Sequence, residues 1–155
     1  MLETRHSLPE DVTYLAPRLR EADLRELEAA GVPSAHQALQ DGLRNSKHCI
    51  SVVNDEDRAV AMFGCGRFTD DDVGYIWLLG SDEIKSNPTR FLRRSKLWVD
   101  IFHKDFPILT NFVDQRNTVH IHWIRWLGFS FLRTVNSEGP GNLPFYEFAR
   151  IHHVC

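Results

Sequence analysis

The stretch Pro107–Phe131, PILTNFVDQRNTVHIHWIRWLGFSF, constrains the fold of this chain more than any other. It reads as a buried strand over Ile108–Asp114, a polar turn containing Asn117, a short apolar-rich segment, and a Gly128-Phe129 stop leading into another strand. Period alone does not settle the middle segment. VHIHW alternates as a strand would, while Val119, Trp123, Ile124 and Leu127 fit helical spacing. The Gly128-Phe129 ending decides for a helix, because a glycine just past the last turn takes the left-handed conformation that closes one. A strand, turn, helix and strand joined this closely imply a mixed α/β domain.

The rest of the chain supplies partners for that unit. Leu2–His6 predicts a short strand. Pro9-Glu10-Asp11 opens a helix with Ser7 as its cap, and Val12, Leu15, Ala16 and Leu19 give it a buried face. Glu21–Ala30 predicts a second helix closed by Gly31. Ser34 caps a third, in which Ala35, Ala38, Leu39 and Leu43 keep the period. His48–Asn54 and Ala59–Phe68 read as an antiparallel hairpin, and Val73–Gly80 (VGYIWLLG) returns as a third strand after the turn at Asp70-Asp71-Asp72. That acidic run lacks the glycine and terminal glutamate of a calcium loop and reads as a solvated turn.

After the polar loop GSDEIKSN, Asn87-Pro88 starts a long helix that Pro107 stops. One face of it carries Phe91, Ser95, Trp98, Phe102 and Phe106, and another carries Arg90, Arg93 and Arg94. Phe131–Val135 and Leu143–Ile151 close the chain as strands around the Gly/Pro-rich loop Ser137–Pro144. The order is strand, helices, three strands, helix, strand, helix and two strands, with no linker or repeat. Its 155 residues fit one domain, 1–155.

Bulk properties narrow the function classes. A formal charge of −3 gives no electrostatic reason to expect general nucleic-acid binding. No apolar run approaches a membrane span, and MLETRHSLPEDV lacks the features of a signal peptide. Cys49, Cys65 and Cys155 are odd in number and scattered, which fits free thiols in the cytoplasm rather than a disulfide framework. Cys65 in FGCGRF has no histidine near it in sequence and reads as a small buried residue. On a helix, His120 and His122 do not face the same way. They and His152-His153 read as surface polar groups, with no metal site expected.

The order of elements, the VGYIWLLG strand before a polar loop and long helix, and FVDQRN with Gly128-Phe129 eleven residues after Asn117 resemble the GNAT N-acetyltransferase superfamily. WLLGSDEI, FLRRSKLWVD, NFVDQRNTVHIHWIRWLGF and PFYEF are similar to a group of bacteriophage GNAT-like proteins, which includes internal virion and assembly proteins of short-tailed phages. The resemblance covers nearly the whole chain. It implies an acyl-CoA N-acyltransferase-like fold, a mixed, mostly antiparallel sheet flanked by helices. It also implies acetyl-CoA in a V-shaped gap between the fourth and fifth strands, with Trp77, Leu78 and Leu79 along the pantetheine and Ser81–Arg90 at the pyrophosphate. Asn117 matches the asparagine that opens the superfamily's fourth helix.

Two positions depart from the superfamily. SDEIKSNPTR has no glycine, contains a proline without an N–H, and carries two carboxylates where phosphate would approach backbone. Ile124 stands where many members carry a tyrosine that protonates the leaving thiolate. Arg90, Arg93 and Arg94, with Lys96, either replace the missing amides as phosphate ligands or form a solvated or partner-binding face. Asp82 and Glu83 are the acidic residues placed where a general base could sit.

The expectation drawn from the resemblance is a virion-associated or assembly component with weakened or lost acetyltransferase activity. It would work with other phage virion proteins in the host cytoplasm or the particle. The alternative is an active acetyl-CoA-dependent N-acetyltransferase acting on an amine of a protein or small molecule, with the Leu78/Leu79 backbone polarising the thioester carbonyl.

Overall fold

AVAMFGC is apolar without interruption and HCISVV is buried at every position after its first, so strands built from them need cover on both faces. The structure, a computed structural model, describes residues 1–68, 72–137 and 139–152 and shows that cover. Asp70 and Asp71 of the acidic turn, His153 and Cys155 lie outside the described residues.

Among the described residues the strands are β1 (Glu3–His6), β2 (His48–Val53), β3 (Ala59–Arg67), β4 (Val73–Gly80), β5 (Ile108–Asp114), β6 (Ser130–Asn136) and β7 (Pro144–Ile151). They form one sheet of order β1-β2-β3-β4-β5-β7-β6, antiparallel except for the β4–β5 pair. Helices α1 (Pro9–Leu15), α2 (Glu21–Ala29) and α3 (Ala35–Asn45) precede β2. Helix α4 (Pro88–Phe102) joins β4 to β5, and α5 (Thr118–Trp126) joins β5 to β6.

Strand alternation splits the core into two layers. Met62 and Leu79 pack with Val12, Leu15 and Leu39 of α1 and α3. Phe63, Ile76 and Leu78 pack with Phe91, Val99, Phe102, Trp123 and Ile124 of α4 and α5.

The helix over 118–126 agrees with the stop signal. Gly128 adopts φ +87°, and the Phe129 N–H reaches back to the Ile124 carbonyl at 3.2 Å. Ser34 and Asn87 cap their helices, accepting from the N–H groups of Gln37 and Arg90. Ser7 does not cap α1. Its hydroxyl pairs with Ser51 at 2.8 Å, and Asp11 instead reaches back to the Leu8 N–H at 2.8 Å. An acidic residue in the first turn can bind an orphan amide as well as a preceding serine can. On α4 the buried stripe is Phe91, Ser95, Val99 and Phe102, while Trp98 is half-buried. Of the helically spaced Val119, Trp123, Ile124 and Leu127, Val119 is exposed, and His120 joins the other three in the interior.

Burial alone would raise the Asp11 carboxyl. Hydrogen bonds from Arg5, the Leu8 N–H and Ser51 outweigh it and hold Asp11 below the usual carboxylate range. Asp114 is held low in the same balance, by Arg116 against burial. The hydrogen bond from Lys47, and then that from His48, keep Asp105 low. A carboxyl whose folded pKa lies below its unfolded value, roughly 3.9, lends stability above that value and loses it as pH falls through the folded pKa. The urea midpoint is therefore expected to lose this contribution below about pH 4. A midpoint unchanged down to about pH 2 would contradict this assignment.

Candidate active site

Strands β4 and β5 pair at only three positions, Val73 with Ile108, Gly74 with Leu109 and Tyr75 with Thr110, and then part. Side groups take over where the ladder ends. Asn111 Nδ2 donates to the Ile76 carbonyl at 2.7 Å. The Gly80 N–H donates to Asp23 Oδ2 at 2.9 Å, and the Gly80 carbonyl accepts from the Arg20 N–H at 2.9 Å.

These bonds fix the phase of the strand. Backbone groups of one strand point alternately to its two sides, so Ile76, Leu78 and Gly80 all face the gap. Ser81, whose N–H goes to the Val60 carbonyl on β3, confirms the opposite phase. Leu78 lies between the two occupied positions, and its N–H and C=O take no partner among the described residues. Replacing Asn111 by alanine is expected to cost about 1–3 kcal/mol in a urea melt, because it orphans the Ile76 carbonyl where β5 has left.

The gap opens into a cavity of about 430 Å³, lined by Leu78, Leu79, Trp77, Tyr75, His120 and Trp123 with Glu26 and Asp41 of α2 and α3. That volume lies in the range of small-molecule sites, about 300–1,000 Å³. A buried polar group lies behind its His120 wall. Asp23, with no exposed side-chain surface, accepts from Arg20 Nη2 at 2.8 Å and Asn117 Nδ2 at 3.0 Å, besides Gly80. His120 Nε2 lies 3.2 Å from Asp23 Oδ1, and His120 Nδ1 lies 3.7 Å from Glu26 Oε2. The first contact is close but off the hydrogen-bond direction, so Nε2 has no hydrogen-bond partner; Trp123 Nε1 has none either. Glu26 also accepts from the Asp114 N–H at 2.7 Å, which fixes α2 to the end of β5.

Some of the residues anticipated from sequence meet here, and others do not. Trp77, Leu78 and Leu79 lie along the gap. Asn117 sits behind it, capping α5 through the His120 N–H at 3.4 Å and bonding Asp23. Ile124 lines the cavity as a buried apolar residue. Asp82 and Glu83 do not line it. Both are exposed in a 3-10 turn over Asp82–Ser86, where Asp82 faces Lys85 at 4.0 Å and Glu83 accepts from Asn54 at 3.2 Å.

The arginines of α4 part company as well. Arg90 donates to the Leu2 carbonyl at 2.6 Å and pairs with Glu3, and Arg94 reaches Glu3 at 3.2 Å. Strand β1 lies on the far side of β2 and β3 from the gap, so both side chains point away from it. Arg93, opposite the Phe91–Ser95–Phe102 stripe, faces solvent.

Asp23, Glu26 and His120 were not anticipated. The signal for His120 was its spacing from Trp123, Ile124 and Leu127, which becomes readable once the helix is chosen. It is a buried residue, not a surface one, while His122 is exposed. Cys65 is buried as expected, and burial pushes its thiol up to about 12, which removes it as a nucleophile. Among the described residues no cluster of His, Cys, Asp or Glu could hold a metal ion, and no helix is long and apolar enough to cross a membrane.

Acetyl-CoA fits this site in part. The parted strands, the Leu78 backbone groups and the cavity suit an acyl thioester and its amide-bearing arm. The loop after β4 does not suit a diphosphate.

No family model and no curated protein matches the sequence. Solved structures do match. Ard1 from Thermoplasma volcanium superposes with a TM-score of 0.74 at 12% identity, over 99% of this chain and 99% of that one. A GNAT-family acetyltransferase from Bacillus anthracis gives 0.74 at 11% identity, over 97% and 94%. The ribosomal-protein-alanine N-acetyltransferase from Brucella melitensis gives 0.72 at 16% identity, over 97% and 99%. This likeness gives no support to the phage subgroup. The mixed seven-stranded sheet with its five flanking helices has the GNAT acyl-CoA N-acyltransferase fold.

Proposed function

We propose that the chain transfers an acyl group, acetyl in the simplest case, from a thioester to an amine bound in the cavity between α2, α3 and the β4–β5 gap. The observation that carries the reading is the pair of unpaired backbone groups of Leu78 at the gap. An N–H fixed at a dry wall stabilises the oxyanion that forms when an amine attacks a thioester carbonyl, because it needs no reorganisation as charge develops. The Leu78 C=O is placed to hold an amide N–H of the donor's arm. His120, with Asp23 against one ring nitrogen and Glu26 near the other, accepts the amine proton. A carbon–nitrogen bond forms and the carbon–sulfur bond breaks. The thiolate leaves and takes up a proton, so amine and thioester give amide and thiol.

The acidic wall of Glu26 and Asp41 suits an amine that arrives protonated, and the apolar lining suits an apolar substituent on it. Thiol release from acetyl-CoA, measured against a panel of primary amines, tests the reading. Amine-dependent, saturable release is expected. Donor binding without release for any amine would overturn it.

One observation favours a second reading. Ile124 is buried at the cavity where the resemblance puts a proton donor, and it has no proton to give. The chain would then be a scaffold without catalysis, with an assembly or virion role in a phage as the fitting context. Its detection in purified particles would support that role.

A further inference from the structure

We propose that the gap selects its acyl donor by the thioester arm alone, and that a nucleotide diphosphate on the donor adds nothing to binding. This rests on the acyl-transfer reading and concerns the other end of the same donor.

A diphosphate is held at a helix N-terminus by amides that have no other partner and by cations beside them. Here several of the amides after β4 already have partners. The Ser81 N–H goes to the Val60 carbonyl, Glu83 N–H to Ser81 Oγ at 3.3 Å, and Ile84 N–H to the Ser81 carbonyl at 3.3 Å. At the start of α4, Pro88 has no N–H, the Arg90 N–H goes to Asn87 Oδ1 at 3.3 Å, and the Phe91 N–H goes to the Asn87 carbonyl at 3.1 Å.

The turn is anchored on the strand by one side chain. Ile84 is buried against Gly80, where even a Cβ would collide with its side chain. The charges oppose an anion too. Asp82 and Glu83 present two carboxylates at this end against one cation, Lys85, which faces Asp82 at 4.0 Å, while Arg90 and Arg94 are drawn to Glu3 on the far edge of the sheet. Arg93 faces solvent, and Lys96 lies over the Trp126 ring at 5.6 Å, beside α5. By contrast, the gap retains everything a thioester arm needs, the Leu78 N–H and C=O and the apolar walls of Trp77 and Trp123.

Isothermal calorimetry with acetyl-CoA, S-acetylpantetheine and ADP tests the proposal on the whole chain. The dissociation constants of the two thioesters are expected to agree within about threefold, with no heat from ADP. Acetyl-CoA binding more than about thirtyfold tighter than S-acetylpantetheine would overturn the proposal and leave the acyl-transfer reading standing. If neither thioester binds, the acyl-transfer reading fails and this proposal with it.

Discussion

Replacing Asp23 by alanine is expected to destabilise the protein by about 3–5 kcal/mol, the cost of removing one partner of a buried ion pair. Asp23 is wholly buried, and the Arg20 side chain beside it is only 5% exposed. Without the carboxylate the guanidinium keeps its charge in a dry site. The Gly80 N–H and the Asn117 amide also lose their acceptor. In a protein of this size each kcal/mol moves the melting temperature by roughly 2–4 °C, so a fall of about 6–20 °C is expected. Asp23→Asn keeps one acceptor oxygen, for either Gly80 or the Arg20–Asn117 side, but not the other or the charge, and should fall between the two. A melting temperature within about 2 °C of the parent for Asp23→Ala would show that the α2–β4–α5 junction does not depend on this residue.

His120→Gln is expected to lower the turnover number for amine-dependent thiol release by a factor of about 10²–10³ while leaving donor binding unchanged. Glutamine fills much of the imidazole's volume and can still meet Asp23, but it cannot accept a proton near neutral pH. The Leu78 backbone, the proposed donor contact, lies on a different element and is untouched. Loss of both turnover and donor affinity would point to a collapsed cavity, which a thermal melt would reveal. A fall of less than about tenfold would remove His120 as the base and turn attention to Glu26, 3.7 Å away.

The sequence carried the fold further than the chemistry. The unbroken apolar run of β3, Asn87-Pro88 at the head of α4 and Gly128 at the end of α5 each state a local requirement that one element satisfies. The parting of β4 from β5 is not such a requirement, because it depends on Asn111 and Asp23 taking over backbone groups from other parts of the chain. For the same reason nothing local in Glu21–Ala30 marks Asp23 and Glu26. Their role comes from Arg20, Asn117, His120 and the Asp114 N–H, residues that only the fold brings to them. Asp82 and Glu83 failed for the converse reason. They follow β4 directly in sequence, but the 3-10 turn carries both side chains out to solvent.

In the proposed transfer the Leu78 N–H is the group that meets the donor carbonyl. Hydrogen–deuterium exchange of that amide, followed by NMR with and without saturating S-acetylpantetheine, tests it most directly. Slowing of Leu78 exchange by at least about tenfold on adding the donor, with little change at the ladder amide of Trp77, is the predicted result. Equal exchange at Leu78 in both states, with the donor shown to be bound, would contradict the claim.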